Sequence, residues 1–124
     1  SYKESQEVVT SKDILATPQK VVILIDKNCG SSCEQFVLTA QQNPRVVTMG
    51  RPTYGALDAS NVMEKTSPSK QLQIYYASTY IHRPAGKEID GLGIPPAIKL
   101  PKPQNQAEYS AEIQLAQRYL EQGL

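Results

Sequence analysis

Lys20–Phe36 reads KVVILIDKNCGSSCEQF, and a change of character inside it decides the fold. Val21 to Ile25 is a short, β-branched, uninterrupted apolar run, the pattern of a strand covered on both faces. Asn28 and Gly30 then turn the chain. Beyond them Cys33, Phe36, Val37 and Ala40 fall at i, i+3, i+4 and i+7, the stripe of an amphipathic helix. Asn43-Pro44 ends that helix, because the residue before proline avoids helical geometry. Arg45–Gly50, RVVTMG, reads as a second strand. Strand, helix and strand with short connections make a βαβ unit, which requires a parallel sheet.

Outward from this unit the patterning is weaker. Residues 1–19 are polar and unpatterned, a loop or extended lead-in. The chain begins SYKESQEVV, with no initiator Met and no signal-peptide pattern, so it is expected to be a mature product or a fragment. Arg51–Asp58 is rich in turn formers. Asn61–Ser67 and Lys70–Thr79 flank Ser67-Pro68-Ser69, a hairpin in which Leu72, Ile74 and Tyr76 alternate with Gln71, Gln73 and Tyr75 as in a half-buried strand. His82–Pro96 holds three Gly and three Pro and is irregular. Ala97–Leu100 suits a last short strand. Ala107–Gln122 is a helix with Tyr109, Ile113, Ala116 and Leu120 on one face and Gly123 as its stop.

The 124 residues are the length of one domain and suffice for a core. A net charge of +1, with no run of like charges, points away from nucleic acid and anionic membranes as partners. The longest apolar run, Val21–Ile25, is far short of a membrane span.

Both cysteines and two adjacent serines lie in the turn. With one His in the chain there is no zinc quartet. A Cys29–Cys33 disulfide requires Cα atoms within about 7 Å; the plainer reading is two small, soft apolar residues. The serines also read two ways. Ser31 suits a helix N-cap with Glu34 in the capping-box position. A buried strand, a tight turn and a helix equally suit a nucleophile, since first-turn N–H groups can face an oxyanion. The hydrolase elbow G-x-S-x-G is absent. A nucleophilic Ser needs a base, and the lone His82 lies in a loop far downstream.

Four motifs in order carry a resemblance: the strand VVILID, Ser31-Ser32-Cys33-Glu34 opening a helix, Met49–Gly55 (MGRPTYG, as G-x-x-T-x-G), and Ile89–Pro96 (IDGLGIPP). Over residues 18–100 the chain resembles the second half of the catalytic core of the C-terminal processing protease and tricorn-core serine peptidases. The resemblance implies an α/β fold of the Clp-protease/crotonase-like type, here a partial core with its βαβ unit, hairpin and C-terminal helix. It makes Ser31 the nucleophile and the Ser32 N–H an oxyanion-hole donor, with Gly30 allowing the tight turn into the helix. The second donor in the family comes from a Gly-rich turn that this chain lacks. Thr53 and Gly55 would help shape the substrate cleft, together with Tyr54. One branch places a Lys base just after T-x-G; here that residue is Ala56, and Lys65 and Lys70 belong to the hairpin. The tricorn-like branch uses a His from the first half of the core, oriented by a Glu whose position here is Asp90. Asp90 alternatively serves as an Asp-Gly turn residue. His82 does not match the family's His and reads as a loop histidine. Ala97 follows Pro96 where the family pattern has Asp.

The expectation is a single unit, residues 1–124, forming the C-terminal part of such a core. Its function would be peptide-bond hydrolysis through Ser31, with the isolated chain inactive for want of a base. The alternative is a non-catalytic peptide-binding or scaffold module on the same fold. No metal or organic cofactor is implied. The expected partners are a peptide or protein substrate, the N-terminal half of the core, and further copies in an oligomer. Family habit suggests a secreted, periplasmic or cell-envelope location, which would also permit a Cys29–Cys33 bridge.

Overall fold

A computed structural model describes residues 15–123. Two strands, β1 (Val21–Ile25) and β2 (Val46–Gly50), run parallel with Val21 opposite Val46 and Ile25 opposite Gly50. Helix α1 (Ser32–Ala40) connects them. This is the βαβ unit anticipated from the periodicity. The hairpin is β3 (Ala59–Thr66) with β4 (Gln73–Tyr80), antiparallel and in register from Ala59–Tyr80 to Thr66–Gln73. A two-residue strand β5 (Ile98–Lys99) returns to pair parallel with β2, giving the order β1-β2-β5. Helix α2 (Gln106–Gln122) is capped by Asn105, whose side chain accepts from the Glu108 N–H, and ends at Gly123 with φ 76°. Residues 15–19 have no regular structure, and most of the expected lead-in, residues 1–14, lies outside the described residues.

The core is small. Ile25, Cys29, Val37, Leu57, Ile89 and Ile94 cluster together, with Ile23 and Leu38 packed against them. Strand, turn, helix and the two later loops thus meet at one point, and it lies directly beneath the Cys29–Cys33 turn.

Three expectations about faces are corrected. Phe36 belongs to the apolar stripe of α1 but is 61% exposed; Glu34 and Val37 are the residues the helix buries. In α2 the inward residues are Glu112 and Ala116, whereas Tyr109, Ile113 and Leu120 are exposed. The reason is an ion pair: Arg51, at the exit of β2, grips Glu112 with Nη1–Oε1 at 2.6 Å and Nη2–Oε2 at 3.0 Å. That bidentate contact rotates the polar Glu112 inward and carries the Ile113 face out. In the hairpin, Ile74 is 63% exposed and Tyr76 is exposed as well, so neither side of β4 is half-buried. The alternation forms the strand correctly, but no other element among the described residues covers it. Among the described residues β1 is likewise an edge strand, and its Leu24 is exposed.

Removing one partner of this partly buried ion pair strands the other. Glu112→Ala is therefore expected to lower unfolding stability by about 3 kcal/mol, read as a fall in the urea midpoint, with Glu112→Gln losing less because it retains an acceptor for Arg51.

Candidate active site

The turn after β1 is built from its backbone outward. The Cys29 N–H donates to the Asp26 carbonyl (3.0 Å), and the Cys29 carbonyl accepts from the Tyr54 N–H (2.8 Å). The Cys33 N–H then donates to the Gly30 carbonyl (3.1 Å), closing a turn with Ser31 at its first central position. Ser31 has φ 54° and ψ −115°. These are the angles of a type II′ turn at a position glycine normally fills. Holding a non-glycine residue there costs on the order of 1–3 kcal/mol and persists only where its surroundings over-determine it. Strained strand-to-helix turns of this kind present a serine side chain at the edge of a sheet. Ser31 and Ser32 are both exposed. Ser32 is the first residue of α1, where an N–H has no intrahelical acceptor.

Gly30 was expected to make the turn, but the left-handed conformation belongs to Ser31. Glycine at position 30 answers to space instead: a Cβ there would lie 3.2 Å from the Tyr54 Cβ. The cysteines are also corrected. They form a disulfide, Cα atoms 5.2 Å apart, bridging the buried end of the turn at Cys29 to the exposed first turn of α1 at Cys33. Only Cys29 packs in the core as an apolar residue would.

What over-determines the turn is Glu34. Its carboxylate is fully buried, 0% exposed. Oε2 accepts from the N–H groups of Ser31 and Ala56, both at 2.9 Å. Oε1 accepts from the Thr53 hydroxyl and the Gly55 N–H, both at 2.6 Å. Four donors fill the acceptor sites of one carboxylate. Ser31 is thus the helix N-cap anticipated from its spacing to Glu34, but the same carboxylate also holds the Thr53–Ala56 loop against the turn. Thr53 and Gly55, expected at the cleft, are buried beneath it. Thr53 Oγ1 further accepts from the Ile94 N–H at 2.7 Å, tying in the Gly-rich loop. Gly55 has φ 83°, and a Cβ there would sit 2.8 Å from the Gly93 nitrogen and the Ile89 carbonyl, so only glycine admits that approach. Tyr54 between them is exposed.

Asp90 lies on the next stretch of the same loop. Oδ1 accepts from the Leu57 and Asp58 N–H groups (2.6 and 2.7 Å), and Oδ2 accepts from the Ala59 N–H (2.9 Å). Asp58, which sequence reading missed, is buried; it pairs with the Arg83 guanidinium and accepts from the Ile89 and Asp90 N–H groups. Two aspartates therefore exchange backbone hydrogen bonds across two loops. A lone Asp inside a Gly/Pro-rich region gives no periodic signal, so only the fold could identify Asp58.

Burial alone would raise all three carboxyl pKa values. In Glu34 the hydrogen bonds from Thr53, Ala56, Gly55 and Ser31 outweigh it, and the pKa lies below its ordinary value. In Asp58 the Arg83 contact and the two amides do the same. In Asp90 the three amides prevail over both burial and the neighbouring Asp58 charge.

The family model for peptidase family S41 matches residues 1–100. The chain belongs to that family. It is 30% identical, over 89% of its length, to carboxyl-terminal-processing peptidase 2, chloroplastic, of Arabidopsis thaliana, and spans 22% of that relative. Its fold matches mature CPAF complexed with lactacystin (TM-score 0.62, 22% identity, 81% of this chain and 20% of that one). A second structure of mature CPAF matches with TM-score 0.58 at 22% identity, over 81% of this chain and 19% of that one. The architecture is thus a partial Clp/crotonase-like core, as the four S41-like motifs implied. This chain spans about a fifth of the relatives it matches. Ser31, Thr53 and Gly55 converge on Glu34 in this S41 core, with Gly30 and Ser32 flanking Ser31, and Asp90 binds the adjoining residues 57–59; His82 instead stacks edge-on against Tyr80 at the foot of the hairpin.

Depressed carboxyl pKa values contribute stability that is complete above the unfolded value, near 4, and is lost as pH falls through the folded values. Unfolding stability is expected to be flat at neutral pH and to drop steeply below about pH 4. Glu34→Gln should be less stable at pH 7 by about 3 kcal/mol, because its amide nitrogen opposes donors. Its acid slope should also be shallower, both measured by urea titration across the pH series.

Proposed function

We propose that this chain is the nucleophile-bearing part of a serine peptidase that cleaves peptide bonds by an acyl-enzyme route. The observation that carries this reading is Ser31 itself: an exposed serine in a strained left-handed conformation, held there by a buried carboxylate with four donors. Strain of this kind gathers at functional sites. Membership of a peptidase family supplies the reaction class.

Ser31 Oγ attacks the scissile carbonyl carbon and gives its proton to a base. The Ser32 N–H faces the developing oxyanion, with Gly30 keeping the approach to it narrow. Tyr54, above the buried Thr53 and Gly55, forms the wall of the cleft. The base comes from outside this chain, since Ala56 carries only a methyl group where one branch of the family has Lys. Asp90 orients that base; Oδ2, with one amide against two on Oδ1, keeps acceptor capacity for it. The exposed hairpin residues Val62, Leu72 and Ile74 and the exposed Leu24 edge of β1 support a need for the N-terminal half of the core, or for further copies, to cover them. The disulfide supports an oxidising location, secreted, periplasmic or in the cell envelope. A non-catalytic peptide-binding role has two features in its favour, Ala56 where one branch of the family has Lys and Asp90 where the other has Glu.

The 124 residues alone are expected to show no peptide hydrolysis. Joined to the N-terminal half of the core, they should hydrolyse peptides and take a serine-directed fluorophosphonate at Ser31, mapped by mass spectrometry, and Ser31→Ala should abolish both. Hydrolysis by the isolated chain that Ser31→Ala removes would overturn an external base; a complete core that is never labelled would leave the binding role.

A further inference from the structure

Neither the proposed chemistry nor the family membership uses the Cys29–Cys33 bridge, yet it encloses the nucleophile turn. Its two ends differ. Cys29 is anchored: it is buried in the core cluster, its N–H donates to Asp26 and its carbonyl accepts from Tyr54. Cys33 lies in the exposed first turn of α1, and its N–H closes the turn on the Gly30 carbonyl. Between them stand Gly30, Ser31 and Ser32, with the strained residue in the middle. A Ser with φ 54° relaxes to ordinary angles unless both flanks are fixed. Glu34 fixes the Ser31 N–H from below; the bridge fixes the flanks from the side.

We propose that the Cys29–Cys33 disulfide is a positioning element for Ser31, so that the thiol–disulfide state of this pair decides whether the turn holds its left-handed conformation. Naming Ser31 a nucleophile rests on the peptidase reading above; the hold on the turn does not. A dithiol reductant would act first at the exposed end. One of its thiolates attacks the Cys33 sulfur, forming a mixed disulfide and releasing the Cys29 thiolate, which takes up a proton. Its second thiol attacks its own sulfur in the mixed disulfide, loses a proton to solvent and frees the Cys33 thiolate, which is protonated in turn. The protein gains two electrons and two protons, and the dithiol leaves as a cyclic disulfide. The reduced turn keeps Glu34 but loses its lateral tie, and Ser31 moves off the geometry that aims Oγ. A misplacement of about 1 Å at a reacting group costs up to about a hundredfold in rate.

The test reads position and chemistry separately. On the 124-residue chain, amide exchange is followed at Ser31, Gly55 and Ala56, whose N–H groups bind Glu34, and at Ile23 and Val47 in the β1–β2 ladder, with and without dithiothreitol. Reduction is expected to speed exchange at Ser31 about tenfold or more while the ladder is unchanged. On the complete core, fluorophosphonate labelling is expected to slow in its maximal rate roughly ten- to a hundredfold, with half-saturation little changed, and to recover on reoxidation. Cys29→Ser/Cys33→Ser should be slow and insensitive to reductant; if that variant does not fold, wild-type reduction and reoxidation carry the test. Unchanged exchange at Ser31 overturns the inference, and so does equal loss of protection in the ladder, which would make the bridge a general staple. Redox-dependent exchange at Ser31 with no adduct in either state would leave the positioning role standing and bring down Ser31 as nucleophile.

Discussion

The arrangement depends on one buried carboxylate. Glu34 is withdrawn from water on the first turn of α1, and that burial is tolerable only because four donors converge on it. Those donors come from two places separated in sequence: Ser31 at the helix start, and the Thr53–Ala56 loop that leaves β2. The parallel pairing of β1 and β2 brings the two places to the same end of the sheet. Sheet, turn and loop therefore specify one another, and the loop cannot move without orphaning the charge.

The strain at Ser31 follows from that constraint. A serine would not choose φ 54° in a free turn. It accepts it because its own N–H belongs to Glu34, its neighbouring carbonyl and amide close on each other, and the flanking cysteines are bonded. A second carboxylate pair extends the same logic: Asp90 collects the amides of Leu57, Asp58 and Ala59, and Asp58 returns the contact to Ile89 and Asp90. The site is thus a set of backbone loops wrapped on carboxylates, with small residues where backbones must touch. Gly55 is one such place, pressed against the Ile89–Gly93 segment.

Away from this knot the chain is open. Both faces of the hairpin, the Ile113 side of α2 and the Leu24 side of β1 are exposed. No element among the described residues covers these faces. This explains why periodicity located the hairpin and α2 well yet misjudged which side chains are buried. An alternating or helical pattern says that a face is apolar; burial needs something to lie against it.

The βαβ unit, the hairpin, the loop character of residues 51–58 and 82–96 and the capping relation between Ser31 and Glu34 were written locally, in runs, spacings and turn residues. Local sequence sufficed because helix and strand periods and cap chemistry act over a few residues. It did not show that Cys29 and Cys33 are joined, that Ser31 rather than Gly30 carries the left-handed angles, or that Arg51 turns Glu112 inward. Nor did it reveal Asp58, or that Thr53 and Gly55 serve Glu34 from below. Each of those is a contact between segments whose meeting depends on strand register and loop packing. The sequence by itself determined which elements form and that a serine opens a helix behind an apolar strand. The tertiary structure decided how that serine is held, because a closed set of hydrogen bonds around a buried charge, together with the bridge across the turn, keeps it in a conformation it would otherwise leave.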